Sequence, residues 1–316
     1  MFRILQPSPN NFNCVRLTHY KLNPVPRLKR VLERLSLAVA MEKTDIEQLR
    51  RLRHRHGRRK SGLILCEGVR ACLEAARRRP GWLQALALSR DFPDSAERGE
   101  LENLAREAGA TLLQIEPRRF KEFAGTENPQ GVLCVLRRPP NDLSSDPKVA
   151  PFVLILDRVS DPGNLGTIAR TAWAAGLAEL WITDGTTDPY GPKATRSGMG
   201  AQFALTIRQF SDLRQAAARL AEHGGVRLWR SSPGGGVDCY SPDFDLRTSG
   251  LVVGNESHGA ARPRDCALPV EEVAIPMPGR AESLNAAQAA TILIFEGVRR
   301  GMLVGQGAGG VGRATD

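Results

Sequence analysis

Residues 151–176 read PFVLILDRVSDPGNLGTIARTAWAAG. The first part is a continuous apolar run ending at Asp157, the pattern of a strand buried on both faces. A Pro-Gly turn follows, with Asn164 where a helix N-cap is expected. Leu165, Ile168 and Ala172 then fall on one helical face at i, i+3 and i+7. Arg170 lies two residues past Ile168, about 200° round the helix, so it points away from that face. Such an arginine is either a solvated surface charge or a group held above the strand ends, where α/β sheets place their ligands.

The same alternation continues outward. Buried strands are expected at AELWITD (178–184), FALTIRQF (203–210), VRLWRSS (226–232), GLVVGNE (250–256) and EEVAIPM (271–277). Helices fit at 164–176 and 212–224. This predicts a parallel sheet covered on both faces. Upstream, GLILCEGVRACLEAARRR (62–79), WLQALALS (82–89), ENLAREAGATLLQIE (102–116) and the strand within 120–139 predict a smaller α/β unit. A helix-like stretch, IEQLRRLRHRHGRRK (46–60), precedes it.

The segment RRPPNDLSSDPK (137–148) has no periodicity and reads as an inter-domain linker. The expected organisation is 1–40 as an extension, 41–138 as a first domain, 139–150 as linker, 151–301 as a second domain and 302–316 as a disordered tail. Residues 1–40 form no core. They read as a disordered extension or as sequence before a true start at Met41, with an Arg-rich transit peptide as the alternative.

The 316 residues carry a net charge of +10, with 41% hydrophobic and 25% charged residues. That charge favours a polyanionic partner, nucleic acid first, against a merely solvated basic surface. The six cysteines form no CxxC pair, so neither a zinc site nor a redox motif is indicated. They read as free thiols in a reducing cytoplasm. No apolar run approaches the ~20 residues of a membrane span.

Two further stretches could carry chemistry. LVVGNESHGA (251–260) runs a strand into Gly254, with Glu256 and Gly259 following. Glu256 beside His258 suggests acid–base work, although a turn glutamate and a surface histidine are the commoner outcome. IPMPGRAESLN (275–285) breaks a strand with Pro276 and Pro278, freeing backbone groups that a ligand can satisfy. Ser283 can cap the helix that follows, while Asn285 is poorly explained as a helix former. GNLG (163–166) is not the GxGxxG of a dinucleotide fold, and Asp184 is only a weak partner for it.

Taken together, the three stretches resemble the SpoU (TrmH-type) branch of the SPOUT RNA methyltransferases. The matching positions are Asn164 and Arg170; Gly254, Glu256 and Gly259; and Ile275, Pro276, Met277, Gly279, Ser283, Leu284 and Asn285. Between them, KATRSGMGAQFALTI (193–207) resembles the family's Lys-x-x-Arg…Gly-Ala segment. AAQ at 286–288 departs from the more usual Val-Ser-Val, and the region of Ser197 and Gly198 is slightly altered. GLILCEGVR and GTENPQGVL resemble the ribosomal-protein-like substrate-binding domain fused to many such enzymes, over roughly 46–138.

The resemblance implies a trefoil-knotted parallel-sheet domain acting as a homodimer. It implies methyl transfer from S-adenosylmethionine to a ribose 2′-hydroxyl of structured RNA, ribosomal by preference and transfer RNA otherwise. Arg170 would be the central catalytic residue, with Asn164, Glu256, Ser283 and Asn285 orienting groups around it. Gly254, Ile275, Met277 and Leu284 would hold the cofactor. Arg50, Arg51, Arg53, Arg55, Arg58, Arg59 and Lys60 would contact RNA phosphates; no metal is implied. A non-catalytic RNA-binding protein and a nicotinamide-dependent enzyme are the rival classes, which cofactor-binding measurements separate.

Overall fold

In the computed structural model of the protein, the described residues are Glu47 and 49–302. The expectations for residues 1–40 and for 303–316 lie outside them. The decisive stretch folds as read. Val153–Asp157 (β5) is buried along its whole length, and Pro162–Ala174 (α5) buries Leu165, Ile168 and Ala172. The cap differs from the expectation. The helix starts earlier, at Pro162, and Asp161 is its N-cap, accepting from the Asn164 N–H at 2.8 Å. Proline at the first helical position needs no amide partner, which is why Asp-Pro opens the helix.

The first sheet orders its strands β1-β4-β2-β3, from Leu63–Glu67 (β1), Leu83–Ser89 (β2), Thr111–Ile115 (β3) and Val132–Arg137 (β4). Only β2 and β3 run parallel. Helices Arg55–Ser61 (α1), Val69–Arg78 (α2), Ala96–Glu107 (α3) and Pro117–Phe123 (α4) accompany it. The stretch read as one helix over 46–60 is interrupted at Arg53 and His54.

The second sheet has seven strands in the order β7-β6-β5-β10-β8-β11-β9, all paired parallel. They are β5 with Glu179–Thr183 (β6), Thr206–Phe210 (β7), Arg227–Ser231 (β8), Val237–Asp238 (β9), Ser249–Gly254 (β10) and Val270–Ala274 (β11). Pro192–Ser197 (α6), Ala201–Ala204 (α7), Leu213–Glu222 (α8) and Ala286–Arg299 (α9) complete the chain. One core cluster packs Leu154, Leu156 and Val253 with α5 and α9; another packs Val153, Ile155 and Val252 with α8. Because every strand runs the same way, the segments after β5, β10 and β11 all leave from one edge. Gly254 stands directly opposite Asp157 there.

The segment read as a linker is irregular, but it is fastened. Arg208 donates to the carbonyls of Asp142, Ser145 and Asp146 at 2.6, 3.1 and 3.2 Å. Asn141 pairs its side-chain amide with both backbone groups of Gln209, at 2.7 and 2.8 Å. β7 is an edge strand, so this amide supplies the partners that a neighbouring strand would otherwise give.

Candidate active site

Three segments meet at the C-terminal edge of the large sheet. Glu256 receives four hydrogen bonds: Asn164 Nδ2 at 2.9 Å and Asp161 N at 3.2 Å on Oε1, Ser160 Oγ at 2.8 Å and Ser160 N at 3.2 Å on Oε2. Asn285 Nδ2 donates to Asn164 Oδ1 at 3.0 Å, while Asn285 Oδ1 accepts from the Ala287 and Gln288 amides at 2.9 and 3.4 Å. The result is a directed relay, Asn285 to Asn164 to Glu256. Its ends are chemically unambiguous: backbone N–H groups only donate and a carboxylate only accepts. Both side-chain amides are therefore oriented by their partners.

Partial burial pushes the Glu256 pKa up, but the bonds from Asn164 and Ser160 outweigh it and hold the carboxyl at about 2. The Asp161 carboxyl is likewise lowered, first by the Asn164 amide and then by Lys193, whose Nζ stands 3.0 Å away. Beneath them Asp157 is 2% exposed and accepts from Thr183 Oγ1 and the Ala261 N–H, both at 2.7 Å. It ties the loop carrying Glu256 to the sheet. Gly254 is required by crowding: a Cβ there would lie 1.9 Å from Ala260 N.

Asn164, Glu256 and Asn285 are thus brought together. Arg170 is exposed on α5, with no hydrogen bond or ion pair to the relay, and Ser283 is exposed two residues before Asn285. Ser283 is not the helix cap; Asn285 is, because its side chain reaches the first free amides of α9. Ile275, Met277 and Leu284 are half-buried. Among the described residues, no backbone hydrogen bond is made by the groups of 275–284.

The basic run divides. Arg50, Arg51, Arg53, Arg55, Arg59 and Lys60 are exposed, with Arg50 paired to Glu122 and Arg51 to Glu47. Arg58 departs from the expectation of an RNA contact. It is 5% exposed and its guanidinium lies 3.2 Å from Asp188, whose side chain is 8% exposed. Ser160, Asp161 and Asp157 went unnoticed as site residues. Asp-Pro at 161–162 was the available signal for Asp161.

The same regions match known proteins. Residues 151–295 match the SpoU rRNA Methylase family, and 43–134 the MRM3-like substrate binding domain. The Synechocystis protein slr1673, described as an uncharacterized tRNA/rRNA methyltransferase, is 31% identical over 81% of this chain and 90% of its own length. The 23S rRNA (guanosine(2553)-2′-O)-methyltransferase RlmP of Bacillus subtilis is 30% identical, over 79% and 94%. The crystal structure of the SpoU methyltransferase AviRb from Streptomyces viridochromogenes, in complex with AdoMet, superposes with a TM-score of 0.67 at 28% identity, covering 82% of this chain and 98% of that one. Full-length relatives, two family models and a shared fold agree, and the chain belongs to the SpoU rRNA methylase family.

Proposed function

We propose that this enzyme transfers a methyl group from S-adenosylmethionine to a ribose 2′-hydroxyl of 23S-type ribosomal RNA, with Arg170 at the reaction centre. The observation that carries the reading is the relay from Asn285 through Asn164 to Glu256, which joins all three motif segments at one sheet edge. The cofactor fits the residues present. The free backbone of 275–284 beside half-buried Ile275, Met277 and Leu284 offers polar groups against apolar walls. With Gly254 these residues would hold it. S-Adenosylmethionine supplies an electrophilic methyl group on a sulfonium sulfur.

The chain's own residues do the rest. A guanidinium stays protonated near neutral pH, so Arg170 orients the 2′-hydroxyl and stabilises the negative charge that develops on its oxygen as the proton passes to solvent and the methyl group is taken up. Glu256 keeps the Asn164 amide turned toward it, and Asn164 in turn fixes Asn285. Ser283, exposed beside Asn285, is free to meet the substrate. Arg50, Arg51, Arg53, Arg55, Arg59 and Lys60 present cations for RNA phosphates.

The segment 275–285 is taken as the last pass of a trefoil knot. α9 is the proposed homodimer face, because Phe295 and Val298 remain 42% and 37% exposed on a helix that buries Ala287, Ala290, Leu293 and Ile294. A cytoplasmic site suits the unpaired thiols of Cys66, Cys72, Cys134, Cys239 and Cys266. No described helix is long and apolar enough to cross a membrane, and the described residues hold no cluster of metal ligands.

Arg170→Ala should retain S-adenosylmethionine binding by calorimetry and lose methyl transfer by about 10²–10³. Undiminished turnover would reject the assignment. Mapping 2′-O-methyl sites in total RNA with and without the gene tests the substrate; a missing transfer-RNA site instead of a ribosomal one would redirect it.

A further inference from the structure

We infer that Glu67 and Arg196 form a pin holding the substrate-binding half in register with the catalytic face, which makes both of them positioning residues for the RNA. This rests on the RNA methyl transfer proposed above. Glu67 ends β1 and is 3% exposed. Its Oε1 accepts from Thr126 Oγ1 at 2.7 Å. Its Oε2 accepts from the Gly125 N–H at 2.8 Å and from Arg196 Nη1 at 3.1 Å. A buried carboxylate is costly unless it is paired and hydrogen-bonded, so the loop and the guanidinium hold it jointly. Removing either partner leaves it short.

Arg196 sits on α6, a helix of six residues. One turn earlier on the same helix, Lys193 pairs with Asp161 at 3.0 Å, and Asp161 accepts from the backbone N–H of Asn164. α6 also lies against α5 so closely that a Cβ on Gly166 would stand 2.0 Å from Ser197 Oγ. One short helix is therefore linked to the catalytic relay through Lys193 and Asp161, and to the 125–130 loop through Arg196 and Glu67. That loop exposes Glu127, Asn128 and Gln130.

A second pin has the opposite polarity. Arg58 comes from the first half and Asp188 from the second, with both side chains over nine-tenths buried. Two pins of reversed sense select one register, because a shifted seam would bury like or unpaired charges. Tyr190 and Phe203 complete the seam by entering the apolar cluster of the first half. The exposed relay alone has little with which to choose one ribose among many. A fixed spacing between it and the 125–130 loop supplies that choice, since small displacements from reactive geometry are expensive.

The test uses the full chain with 23S ribosomal RNA from a strain lacking the gene. Arg196 is 35% exposed, so Arg196→Met should fold, and a thermal midpoint checks it. The expected result is a KM for RNA raised about tenfold, with kcat and S-adenosylmethionine affinity within about twofold of wild type. Arg196→Lys should recover most of the loss, and Glu67→Gln should repeat it. A folded Arg196→Met enzyme with wild-type KM overturns the pin, as does an equal loss of cofactor affinity. A wild-type enzyme that methylates no RNA overturns the functional reading instead.

Discussion

Asn285 does two jobs with one amide. Its oxygen closes the first turn of α9 and its nitrogen holds Asn164. The two can be separated by substitution. Asn285→Ala removes both, and the lost cap alone should cost about 1 kcal/mol in urea denaturation. Asn285→Asp keeps the capping oxygen but faces the Asn164 oxygen with another acceptor. It should unfold near the wild-type midpoint while methyl transfer falls by at least about tenfold. Wild-type activity in Asn285→Asp would show that only the cap matters. Glu256 gives a pH prediction. Its carboxyl is held at about 2 in the folded chain against 4.5 ordinarily. A depressed value contributes stability that is complete above the ordinary one and is lost as pH falls toward the folded one. The gap in thermal midpoint between wild type and Glu256→Gln should therefore be widest at neutral pH and shrink between about 4.5 and 2.

At the scale of elements, the site depends on close approach. β10 runs into a turn that leaves no room for a side chain at Gly254. Gly254→Ala should displace the loop carrying Glu256, cost about 1–3 kcal/mol by denaturation and weaken S-adenosylmethionine binding by calorimetry. An unchanged affinity would detach that loop from the cofactor. The strands were legible because a parallel sheet covered on both faces gives unbroken apolar runs such as Val153–Leu156 and Leu251–Val253. The short helices α6 and α7 were not, since six and four residues are too few to show a period. Pro192 at the start of α6 was their only local signal. The relay was half legible: its residues were named by resemblance, but its bonds join positions 92 and 121 apart in sequence.

Across the whole molecule, the basic run shows what charge counting misses. Arg58 and Arg59 are neighbours, yet one is buried against Asp188 and the other faces solvent. Arg58→Met should destabilise by about 2–3 kcal/mol, because it removes one of the two guanidiniums on the Asp188 carboxylate and leaves Arg138, 3.0 Å away, as the other. Arg59→Met should leave the unfolding midpoint unchanged and lower the salt dependence of RNA binding by about one counterion. Filter binding from low to moderate salt, beside chemical denaturation of both variants, checks the contrast. Reversed outcomes would mean that the two arginines exchange roles in solution. The segment over 137–148 makes the same point. Its composition is that of a tether, and Arg208 and Asn141 make it a strap on the sheet edge.

By itself the sequence determined the alternation of strands and helices, the apolar interior and the three polar segments that interrupt it. Those are local properties, written in period, proline and glycine. Tertiary structure alone decided which polar groups meet. It turned Arg58 inward, made Asn285 the cap in place of Ser283, and joined Glu67 to Arg196 across 129 positions of chain. A buried charge must find its counter-charge wherever the fold brings one, and that partner leaves no mark in the neighbouring sequence.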